Sequence, residues 1–404
     1  MTSHKVFDYL SSTDAIRERC QQIFHLAQDN KLEHFSLHQD KLQEVSQYVV
    51  DVIRDNYPSL DIPYHSRFRH LSVGGKNRVE TALKFSGLKG GSEQGRMLYE
   101  MIIVSILLDA GAGATWIFKE GNEVFNRSEG LAVASFHAFK DGVFSSQSRS
   151  LQVNAGGLKE INSQKLERSF QVSPSNPLVG VEGRKSLMNL LGRTIAENQT
   201  VFPDERLGSF YDHVTSHVVN NKIPAKTVLS LVLEVFSPIW PPRHAIGGKS
   251  LGDCWPHPQI KGLNGEDYYI PFHKLSQWMT YSLFEPLEMA GIEVENLDDM
   301  TGLPEYRNGG LFLDLGLISL KDAKQGEKKH PPGSPLIVEW RALTVCLLDE
   351  VAKKAREILN LAPKDFPLAK VLEGGTWQAG RKIAKHLRAD GSPPINIDSD
   401  GTVF

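Results

Sequence analysis

The sequence predicts a mainly α-helical protein with a few short strands. Apolar residues recur three and four positions apart over much of the chain, and this spacing gives a helix one apolar face. Strand signals are limited to a hairpin around Gly121 and to the C-terminal stretch INIDSDGTVF. The phosphate loops of nucleotide-binding α/β proteins are missing, because Trp116 replaces the third glycine of a dinucleotide fingerprint and Arg243 the first glycine of a P-loop. We therefore expect no cofactor.

The composition is that of a protein with a small net charge and few cysteines. The formal net charge of the 404 residues is −3, and no basic tail or stripe is present, so we expect neither nucleic acid nor a membrane as a partner. Three scattered cysteines are too few for a disulfide framework. The N-terminus lacks a signal-peptide pattern, and the longest dense apolar run, 101–108, is too short to span a membrane. We expect a cytoplasmic protein.

Start and stop signals place the individual helices. Ser334 followed by Pro335 predicts an N-cap and a first helical residue, and the helix should run to about Leu359. Ser92 is a second plausible N-cap. The other predicted helices are two between Thr13 and Asn56, then 93–110, 129–140, 183–198, 206–219, 224–236, one beginning at 271, and one in LEGGTWQAGRKIAKHL after its Gly-Gly turn.

A stretch rich in Ser, Gly and Asn, 145–175, is the best candidate for a domain boundary. The length allows two or three domains, and one large helical domain is compatible with it. We predict an N-terminal helical portion over residues 1–150 and a C-terminal helical catalytic portion over residues 151–404. One continuous domain is the alternative.

The helix predicted from Pro271 carries a polar stripe. Proline suits the first helical position because its φ is already helical and its missing N–H has no partner there. His273, Gln277 and Tyr281 then fall on one face, and bulky apolar residues cover the rest. Such a stripe faces solvent or lines a cavity, and the apolar flanks favour a cavity. His273 and Lys274 lie in the first turn, where the helix dipole attracts anions such as phosphate.

Glu305, Tyr306 and Arg307 form a second candidate group. Pro304 disfavours helix before them and a Gly-Gly pair permits unusual backbone after them, which predicts a short rigid loop. A carboxylate, a phenol and a guanidinium can together polarise, stack on and clamp a small ligand. A surface Glu–Arg pair beside a turn is the alternative.

Charged residues in apolar surroundings supply further candidates. Asp109 follows an apolar helix at its C-terminal end, where a carboxylate meets the negative end of the dipole, so it needs a partner unless it caps the turn. Glu339 and Arg341 lie in the apolar run VEWRALTVCLL and need partners or a ligand. Asp253 and Trp255 of GDCWPHP precede the polar helix closely, so we place them at the wall of its pocket.

Two other patterns have simpler explanations. The basic connector YHSRFRHLSVGGKNR contains Arg67, Arg69 and His70, which could surround an anion, but a solvated loop is the expected structure. Cys254 and His257 have the spacing C-x2-H, but a second ligand pair is not nearby and the HExxH and PCxxC motifs are missing. We predict no metal site.

Nine stretches in order resemble the uracil-catabolism family that supplies the fourth protein of the URC pathway, long described as a domain of unknown function. The likeness covers nearly the whole chain from RFRHLSVGG onward. Its carriers are LLDAGAGATW, RSEGLAVASF, SPSNPLVGVEGR, LGDCWPHP, PFHKLSQWMTYSL, TGLPEYRNGGL, VEWRALTVCLLDE, PLAKVLEGGTWQAGR and SDGTVF.

The resemblance implies an enzyme that acts late in uracil degradation. In that family's pathway uracil is thought to become its nucleotide, the ring is opened, and a ribosylurea-type compound remains to be split to urea and a ribose species. The implied reaction is hydrolysis of the N-glycosidic bond of ribosylurea or its 5′-phosphate. The implied partner is a small ribosyl or ribose-phosphate substrate, and the oligomeric state stays open.

A fainter resemblance concerns the queuosine-salvage N-glycosidases. FHKLSQ, PEYR and VEWRA are similar to that family's YKRAQ, ADYR and VEIRA, which implies its large helical fold of the DNA-glycosylase type. Glu305 and Ser282 stand where that family has Asp, and His273 where it has Tyr. The matching residues are Lys274, Gln277, Tyr306, Arg307, Glu339 and Arg341.

The chemistry of breaking a ribose–nitrogen bond suggests roles for the candidate residues. The reaction builds positive charge on the anomeric carbon and negative charge on the departing nitrogen. Glu305 would direct water or stabilise the sugar cation, and Glu339 or Asp109 would protonate the urea nitrogen. The binding residues we expect are His273, Lys274 and Arg341 for a 5′-phosphate or hydroxyls, Gln277 for the urea amide, and Tyr306 and Arg307 for fixing the ligand.

Two other classes of protein fit the same residues. One is an amidohydrolase or lyase that acts on the ring-opened pyrimidine nucleotide. The other is a non-catalytic nucleotide-binding protein. Only glycoside cleavage yields free urea with a ribose species, so the products of the reaction separate these alternatives.

Overall fold

The described part of the chain is predominantly helical, which confirms the predicted mainly α class. The computed structural model describes residues 3–109, 111–113, 115–147, 151–241, 243–262 and 268–398. Within these ranges, none of the helices combines the length and the apolar character that crossing a membrane requires. The α-helices are α1 (Ser3–Leu10), α2 (Thr13–Gln28), α3 (Leu42–Asn56), α4 (Arg67–Leu71), α5 (Arg78–Ser86), α6 (Ser92–Leu107), α7 (Arg127–Lys140), α8 (Ala155–Lys159), α9 (Ser163–Ser169), α10 (Val181–Glu197), α11 (Ser209–Thr215), α12 (Ala225–Phe236), α13 (Lys274–Met289), α14 (Tyr306–Asp314), α15 (Pro335–Leu359), α16 (Leu368–Val371) and α17 (Trp377–Leu387).

The strands are short and pair two by two. They are β1 (Phe35–Leu37), β2 (Ile117–Glu120), β3 (Glu123–Asn126), β4 (Lys222–Pro224), β5 (Ala245–Ile246), β6 (Lys249–Ser250), β7 (Cys254–Pro256), β8 (Tyr269–Pro271), β9 (Glu293–Glu295), β10 (Ile318–Leu320), β11 (Lys329–His330) and β12 (Asn396–Ile397). Antiparallel pairs are β1 with β10, β2 with β3, β5 with β6 and β7 with β8. Parallel pairs are β4 with β9 and β11 with β12. The hairpin predicted around Gly121 is confirmed as β2 and β3, and β12 lies in the predicted C-terminal strand, whose last residues are outside the described ranges.

Residue contacts divide the chain into two compact units made of separate segments. The first takes its described residues from Met1–His65, Pro242–Trp278 and Asn296–Ser399. The second takes them from Ser66–Pro241 and Met279–Glu295. The predicted division into an N-terminal portion, residues 1–150, and a C-terminal portion, residues 151–404, stays a prediction.

The first unit is assembled around α15, which is buried over most of its length. Helices α2, α3 and α14 pack against α15, and α17 packs against α14. Both predicted ends of α15 are confirmed. Ser334 is the N-cap and its hydroxyl accepts the N–H of Ile337 over 3.4 Å, Pro335 is the first helical residue, and the helix ends at Leu359. Helix α15 therefore carries Glu339 and Arg341 into the interior.

The second unit has α6 at its centre. All residues from Met97 to Leu107 are buried, as the apolar pattern predicts, and α4, α7, α10 and α11 pack on this helix. Glu100 lies within the buried run and accepts two hydrogen bonds from the Arg206 guanidinium, over 2.8 and 3.0 Å. The helix ends at Leu107, before its predicted end, and α11 is also shorter than predicted. The expected connector between 145 and 175 contains the short helices α8 and α9.

The helix predicted from Pro271 begins later than expected. Pro271 is the last residue of β8, and His273 has a left-handed φ of 46°. Helix α13 starts only at Lys274, whose N–H donates to the carboxylate of Asp253 over 3.0 Å. The backbone carbonyl of Asp253 accepts the N–H groups of Phe272 and His273. Asp253 thus supplies the hydrogen-bond acceptors at the start of this helix. The preference of proline for the first helical position considers only neighbouring residues, so it could not predict this contact.

The basic connector at Arg67 is a buried helix, so the expectation of a solvated loop was wrong. Arg67 is 0% exposed and lies in α4. Its guanidinium donates to the hydroxyl of Ser105 over 2.8 Å and lies 3.2 Å from the carboxylate of Asp109. Burial lowers the pKa of Arg67 and Asp109 opposes that effect. A guanidinium with this many acceptors can be buried, because its charge and N–H groups are matched within the fold.

Glu120 is the centre of an ion cluster in the second unit. Its carboxylate accepts hydrogen bonds from Arg78, Lys76 and His137 over 2.6, 2.8 and 2.7 Å. Burial by itself would raise the pKa of Glu120, but these three donors outweigh burial and lower the pKa from 4.5 to about 2. The hairpin is therefore connected to α5 and α7 through one carboxylate.

We expect the substitution Glu120→Gln to lower the free energy of unfolding at neutral pH by up to about 3 kcal/mol. The folded pKa lies below the unfolded one, so the stabilisation is present above pH 4.5 and is lost as the pH falls through 2. Urea denaturation of both proteins at about pH 7 and about pH 3 measures the difference, which should be at least halved at the lower pH.

The matched control is Glu80→Gln, which removes an exposed ion pair with Lys84 in the same unit and should change the stability little. A difference between wild type and Glu120→Gln that is the same at both pH values would contradict the assigned role of the carboxylate.

Candidate active site

Asp253 and Arg341 form a two-pronged ion pair at the centre of the candidate site, in the first unit. The Nη1 and Nη2 groups of Arg341 donate to Oδ1 and Oδ2 of Asp253 over 2.7 and 2.8 Å. Arg341 is 1% exposed, and its Cζ lies 4.1 Å from the centre of the Phe272 ring. The N–H of Lys274 and the indole N–H of Trp255 also donate to the Asp253 carboxylate, over 3.0 and 2.8 Å.

The charge of Asp253 is matched by these donors. Burial raises the pKa of Asp253, but the Arg341 guanidinium, the Lys274 N–H and the Trp255 indole together hold it below its ordinary value. Asp253 is therefore an anion at neutral pH, and Arg341 is its counter-ion. A buried arginine in apolar surroundings needs a charged partner or a ligand, and Asp253 is that partner for Arg341.

Trp255 forms the wall beside Asp253, where the sequence placed it. Its ring is 7% exposed and lies directly against the backbone at Gly333, where an added Cβ atom would be 2.5 Å from the ring. The guanidinium of Arg243 lies over the Trp255 ring, 5.5 Å from the ring centre. Trp255 is therefore held in one orientation by packing and by its hydrogen bond to Asp253.

Glu305 is the N-cap of α14, which corrects the expected loop. Its carboxylate accepts the N–H groups of Arg307 and Asn308 over 2.7 and 2.6 Å. Pro304 disfavours a helical conformation at the residue before it. Glu305 has the extended φ of −106° and ψ of 165° that are usual for an N-cap, and the helix begins at the next residue. Tyr306 and Arg307 therefore form the first turn of a helix. The Glu305 carboxylate is therefore fixed in position at the N-terminus of α14.

The surroundings of Glu305 suit a carboxylate that takes up a proton. Burial raises the pKa of Glu305, while the capping N–H groups and the charges of Lys274 and Arg307 oppose the rise. Arg341 also reaches this segment, because its Nε donates to the carbonyl of Pro304 over 3.4 Å. A half-buried carboxylate with a raised pKa and a cation that acts on it has the properties of a general base.

Tyr306 and Arg307 stack on each other but have different surroundings. The Cζ of Arg307 lies 4.8 Å from the centre of the Tyr306 ring. Arg307 is 7% exposed and donates to the carbonyl of Gly391 over 2.7 Å. Tyr306 is only half-buried. Arg307 therefore holds the C-terminal segment, and Tyr306 is the member of the pair that a ligand can reach more easily.

Gln277 and His273 make their hydrogen bonds within the chain. The amide of Gln277 donates to the hydroxyl of Thr301 over 2.7 Å, and its oxygen accepts the N–H of Thr301 over 3.0 Å. The ring Nε2 of His273 lies 2.8 Å from the carbonyl of Leu10, and burial lowers the pKa of this histidine. Gln277 thus holds the segment that leads to Glu305, and His273 holds the end of α1.

Glu339 faces a histidine that the sequence did not assign to the site. Both Glu339 and His257 are 1% exposed, and Oε1 of Glu339 lies 3.5 Å from Nε2 of His257. The other oxygen of Glu339 accepts the N–H of His34 over 3.2 Å. The Nδ1 atom of His257 accepts the N–H of Gln259, which places the ring proton on Nε2, toward Glu339.

Asp109 belongs to the second unit and is paired there. The hydroxyl of Ser128 donates to its Oδ2 over 2.6 Å, and the Arg67 guanidinium lies 3.2 Å from its Oδ1. The guanidinium of Arg184 adds positive charge, and burial lowers the pKa of Arg184 to about 10 while Asp109 opposes that effect. These groups supply the partner that a carboxylate beyond a helix C-terminus requires.

The structure brings together five of the predicted site residues in the first unit: Asp253, Trp255, Lys274, Arg341 and the cap Glu305. Glu339 is two positions from Arg341 on α15 and therefore points to a different side of that helix. The carboxylates of Glu305 and Glu339 accept hydrogen bonds from different parts of the chain. Among the described residues, no group of three or more His, Cys, Asp or Glu side chains is arranged to hold a metal ion.

Sequence reasoning missed a second His–Glu pair in this unit. Nδ1 of His65 lies 2.8 Å from Oε2 of Glu373, and both residues are less than a tenth exposed. The ring centres of Trp278 and Trp377 lie 6.5 and 5.7 Å from that of His65. The available signal was LEGGTW, in which the Gly-Gly pair was interpreted as a turn. These glycines lie in a π-helical segment, Leu372–Thr376.

Comparison with known proteins identifies relatives that match the whole chain. A protein from Schizosaccharomyces pombe named Protein urg3 is 38% identical over 412 residues and covers 100% of both chains. Uracil catabolism protein 4 of Lachancea kluyveri is 36% identical over 442 residues, again with 100% of both chains covered. The family model described as "Protein of unknown function (DUF1688)" matches residues 9–404. This match and the two relatives show that the chain belongs to the DUF1688 family.

Proposed function

We propose that this protein acts in uracil catabolism as a hydrolase that splits the ribose–nitrogen bond of ribosylurea. The observation that carries the proposal is the position of Glu305, a fixed carboxylate whose pKa is raised by burial and which lies near the Lys274 cation. The name of the Lachancea kluyveri relative supports the pathway. The resemblance of PEYR and VEWRA to N-glycosidase signatures supports the type of bond.

Glu305 is assigned the activation of water. As the bond to nitrogen lengthens, the anomeric carbon becomes positively charged, and an anion on the opposite face stabilises it. The Glu305 carboxylate supplies that charge and takes the proton of the attacking water. The helix N-terminus holds the carboxylate in place through two N–H groups, so little reorganisation is needed during the reaction.

The charges around α13 favour a substrate without a phosphate. The N-terminal N–H of α13 already donates to Asp253, and Arg341 is occupied by the same carboxylate. His273, the third residue expected to hold a phosphate, bonds to the carbonyl of Leu10. A dianion placed here would meet the negative charges of Asp253 and Glu305. Ribosylurea is therefore the proposed substrate in preference to its 5′-phosphate.

Glu339 and Asp109 receive positioning roles in this proposal. Glu339 connects α15 to the segments of His34 and His257. Asp109 is engaged by Arg67 and Ser128. Each residue thus has contacts within the chain that account for its place in the fold without a role as the proton donor.

Incubating the purified protein with ribosylurea and identifying the products by mass spectrometry tests the proposal. Glycoside cleavage releases free urea and ribose in equal amounts. An amidohydrolase instead releases ammonia and carbon dioxide from the urea group, and a lyase leaves an unsaturated product. Binding of ribosylurea without any product identifies a non-catalytic binding protein. Any of these last three results would overturn the proposal.

We expect Glu305→Gln to lower kcat for ribosylurea by about 100-fold or more, because the neutral amide cannot take a proton from water. The amide oxygen can keep one capping hydrogen bond, so the stability loss should be about 1 kcal/mol. Urea release and thermal unfolding measure the two effects.

The matched control for Glu305→Gln is Asp322→Asn, since Asp322 is also an acidic cap and accepts the N–H of Lys324 over 3.1 Å in the same unit. This variant should retain wild-type turnover. Undiminished activity in Glu305→Gln would remove Glu305 from the mechanism.

We expect Lys274→Met to move the acid limb of the kcat/KM profile to higher pH. The positive charge of Lys274 opposes the effect of burial, so removing it raises the pKa of Glu305 further. The base acts only when ionised, and a higher pKa therefore means that activity appears at a higher pH. Initial rates of urea release over a pH series measure the limb.

Lys329→Met is the control for this pH series, because the charge of Lys329 pairs with the exposed Asp398. Its profile should match that of the wild type. An acid limb at the same pH in Lys274→Met and wild type would show that the limb does not report Glu305.

We expect kcat/KM for ribosylurea to exceed that for its 5′-phosphate by about tenfold or more, because like charges placed together cost several kcal/mol. Urea release from the two compounds under identical conditions measures the ratio. A preference for the phosphate would refute the argument that Asp253 occupies the anion-attracting end of α13.

A further inference from the structure

The His65–Glu373 pair is built as an oriented imidazole. The 2.8 Å contact joins Nδ1 of His65 to the carboxylate of Glu373, so the ring proton on this side is held by an acceptor. The backbone N–H of His65 donates to the carbonyl of Ala369, which fixes the residue from a second direction. The Nε2 atom is thus the position at which this ring can exchange a proton with a ligand.

The π-helical segment that carries Glu373 is an unusual local structure. Such segments are rare and occur often at functional sites, because one extra residue changes the direction of the side chains. The segment Leu372–Thr376 packs closely on α3, because an added Cβ atom at Gly375 would lie 2.7 Å from the side chain of Val49. The hydroxyl of Thr376, at the end of the segment, is buried and has no hydrogen-bond partner among the described residues.

Helix α13 connects this pair to Glu305. Lys274, whose charge acts on Glu305, and Trp278, which lies against His65, are four positions apart and so share one face of α13. The aromatic ring and the cation thus point to the same side. The His65 ring lies near Trp278 on this face, and the charge of Lys274 on the same face lowers the pKa of Glu305.

Helix α17 makes a second connection between the same residues. An added Cβ atom at Gly380 would lie 2.2 Å from the carbonyl oxygen of Arg307, so this face of α17 is in direct contact with the first turn of α14. Trp377 is three positions before Gly380 and lies on that face. The helix that contacts the first turn of α14 thus also carries the tryptophan whose ring centre is 5.7 Å from that of His65.

We propose that His65, positioned by Glu373, is the general acid that protonates the departing urea nitrogen, with Trp278 and Trp377 enclosing the substrate. The inference rests on the proposed hydrolysis of ribosylurea. The bond between the anomeric carbon and nitrogen breaks with its electron pair on nitrogen, which takes the Nε2 proton of the His65 imidazolium, while the Nδ1 proton stays on the ring toward Glu373. Water forms the new bond to the anomeric carbon and gives a proton to Glu305. The products are ribose and neutral urea, and solvent returns the protons to their starting positions.

A purely structural role for the pair has a different consequence. In that case His65 and Glu373 only attach the segment before α4 to the π-helical segment, and their loss affects every substrate equally through stability. A general acid matters only when the leaving group needs a proton. Leaving-group dependence therefore separates the two roles.

The test compares ribosylurea with a ribosylurea that carries a 4-nitrophenyl group on its distal nitrogen. Both contain the same scissile bond, but the aryl group stabilises the departing anion. We expect His65→Asn to lower kcat for ribosylurea by about 100-fold or more and kcat for the aryl compound by less than about tenfold, with KM little changed. Glu373→Gln should show the same pattern with a smaller loss, since the amide still accepts from Nδ1. Glu305→Gln should lose activity on both compounds.

The matched control is His330→Asn, which changes another buried histidine of the same unit, whose ring bonds to the carbonyl of Gln325 over 2.7 Å. It should keep wild-type rates on both compounds. An equal loss of kcat on both compounds in His65→Asn, or no loss on either, would overturn the role of His65 and leave the proposed function in place. A wild-type protein that splits neither compound would overturn the proposed function itself.

Discussion

The ion pair between Asp253 and Arg341 is the interaction on which the candidate site depends. It joins the residue before β7 to α15 and accepts the N–H of Lys274 at the start of α13. It also reaches the carbonyl of Pro304 through the Nε of Arg341. An uncompensated charge in this interior would cost several kcal/mol, so these segments are stable only when all of them are in place. The geometry around Glu305 therefore follows from a contact in which Glu305 takes no part.

The same pair limits the chemistry that the site can perform. Asp253 and Arg341 were both predicted to contact the substrate, but their charges neutralise each other. Asp253 also accepts the N–H at the start of α13, the helix end that would attract an anion. The groups that remain for chemistry are a carboxylate that burial makes more basic and the cation of Lys274 nearby. This combination suits activation of water beside a neutral sugar better than capture of a phosphate.

The sequence predicts a structural element correctly when the contacts that determine its ends and its burial are made by residues close to it in the chain. The ends of α15 were predicted correctly because Ser334, Pro335 and the periodic pattern lie within the helix itself or next to it. The predicted start of α13 was wrong because the N–H of Lys274 donates to Asp253, which lies 21 positions earlier in the chain. The basic segment at Arg67 was assigned to solvent because its buried acceptors come from α6 and from residues further along the chain.

For the candidate site, residue types were predicted better than their surroundings. Glu305, Lys274, Arg341 and Asp253 were all selected, and the structure places them together, but Glu305 was expected on a loop and is a helix cap. The pairing of His65 with Glu373 joins residues 308 positions apart, and neither residue lies in a motif whose spacing indicates a dyad. The LEGGTW stretch marks unusual backbone next to Glu373, but no feature of a single sequence indicates that His65 is its partner.

The first unit contains two His–Glu pairs, and their geometry separates their roles. In the pair of His257 with Glu339 both side chains are 1% exposed and the two nearest atoms are 3.5 Å apart, while backbone N–H groups occupy the other ring nitrogen and the other carboxylate oxygen. That pair is closed on all sides and holds segments together. In the pair of His65 with Glu373 the contact is 2.8 Å, and two tryptophans flank the ring on the helices that lead to Glu305. Because a proton donor must be both oriented and within reach of a ligand, the second pair is the one whose surroundings suit acid catalysis.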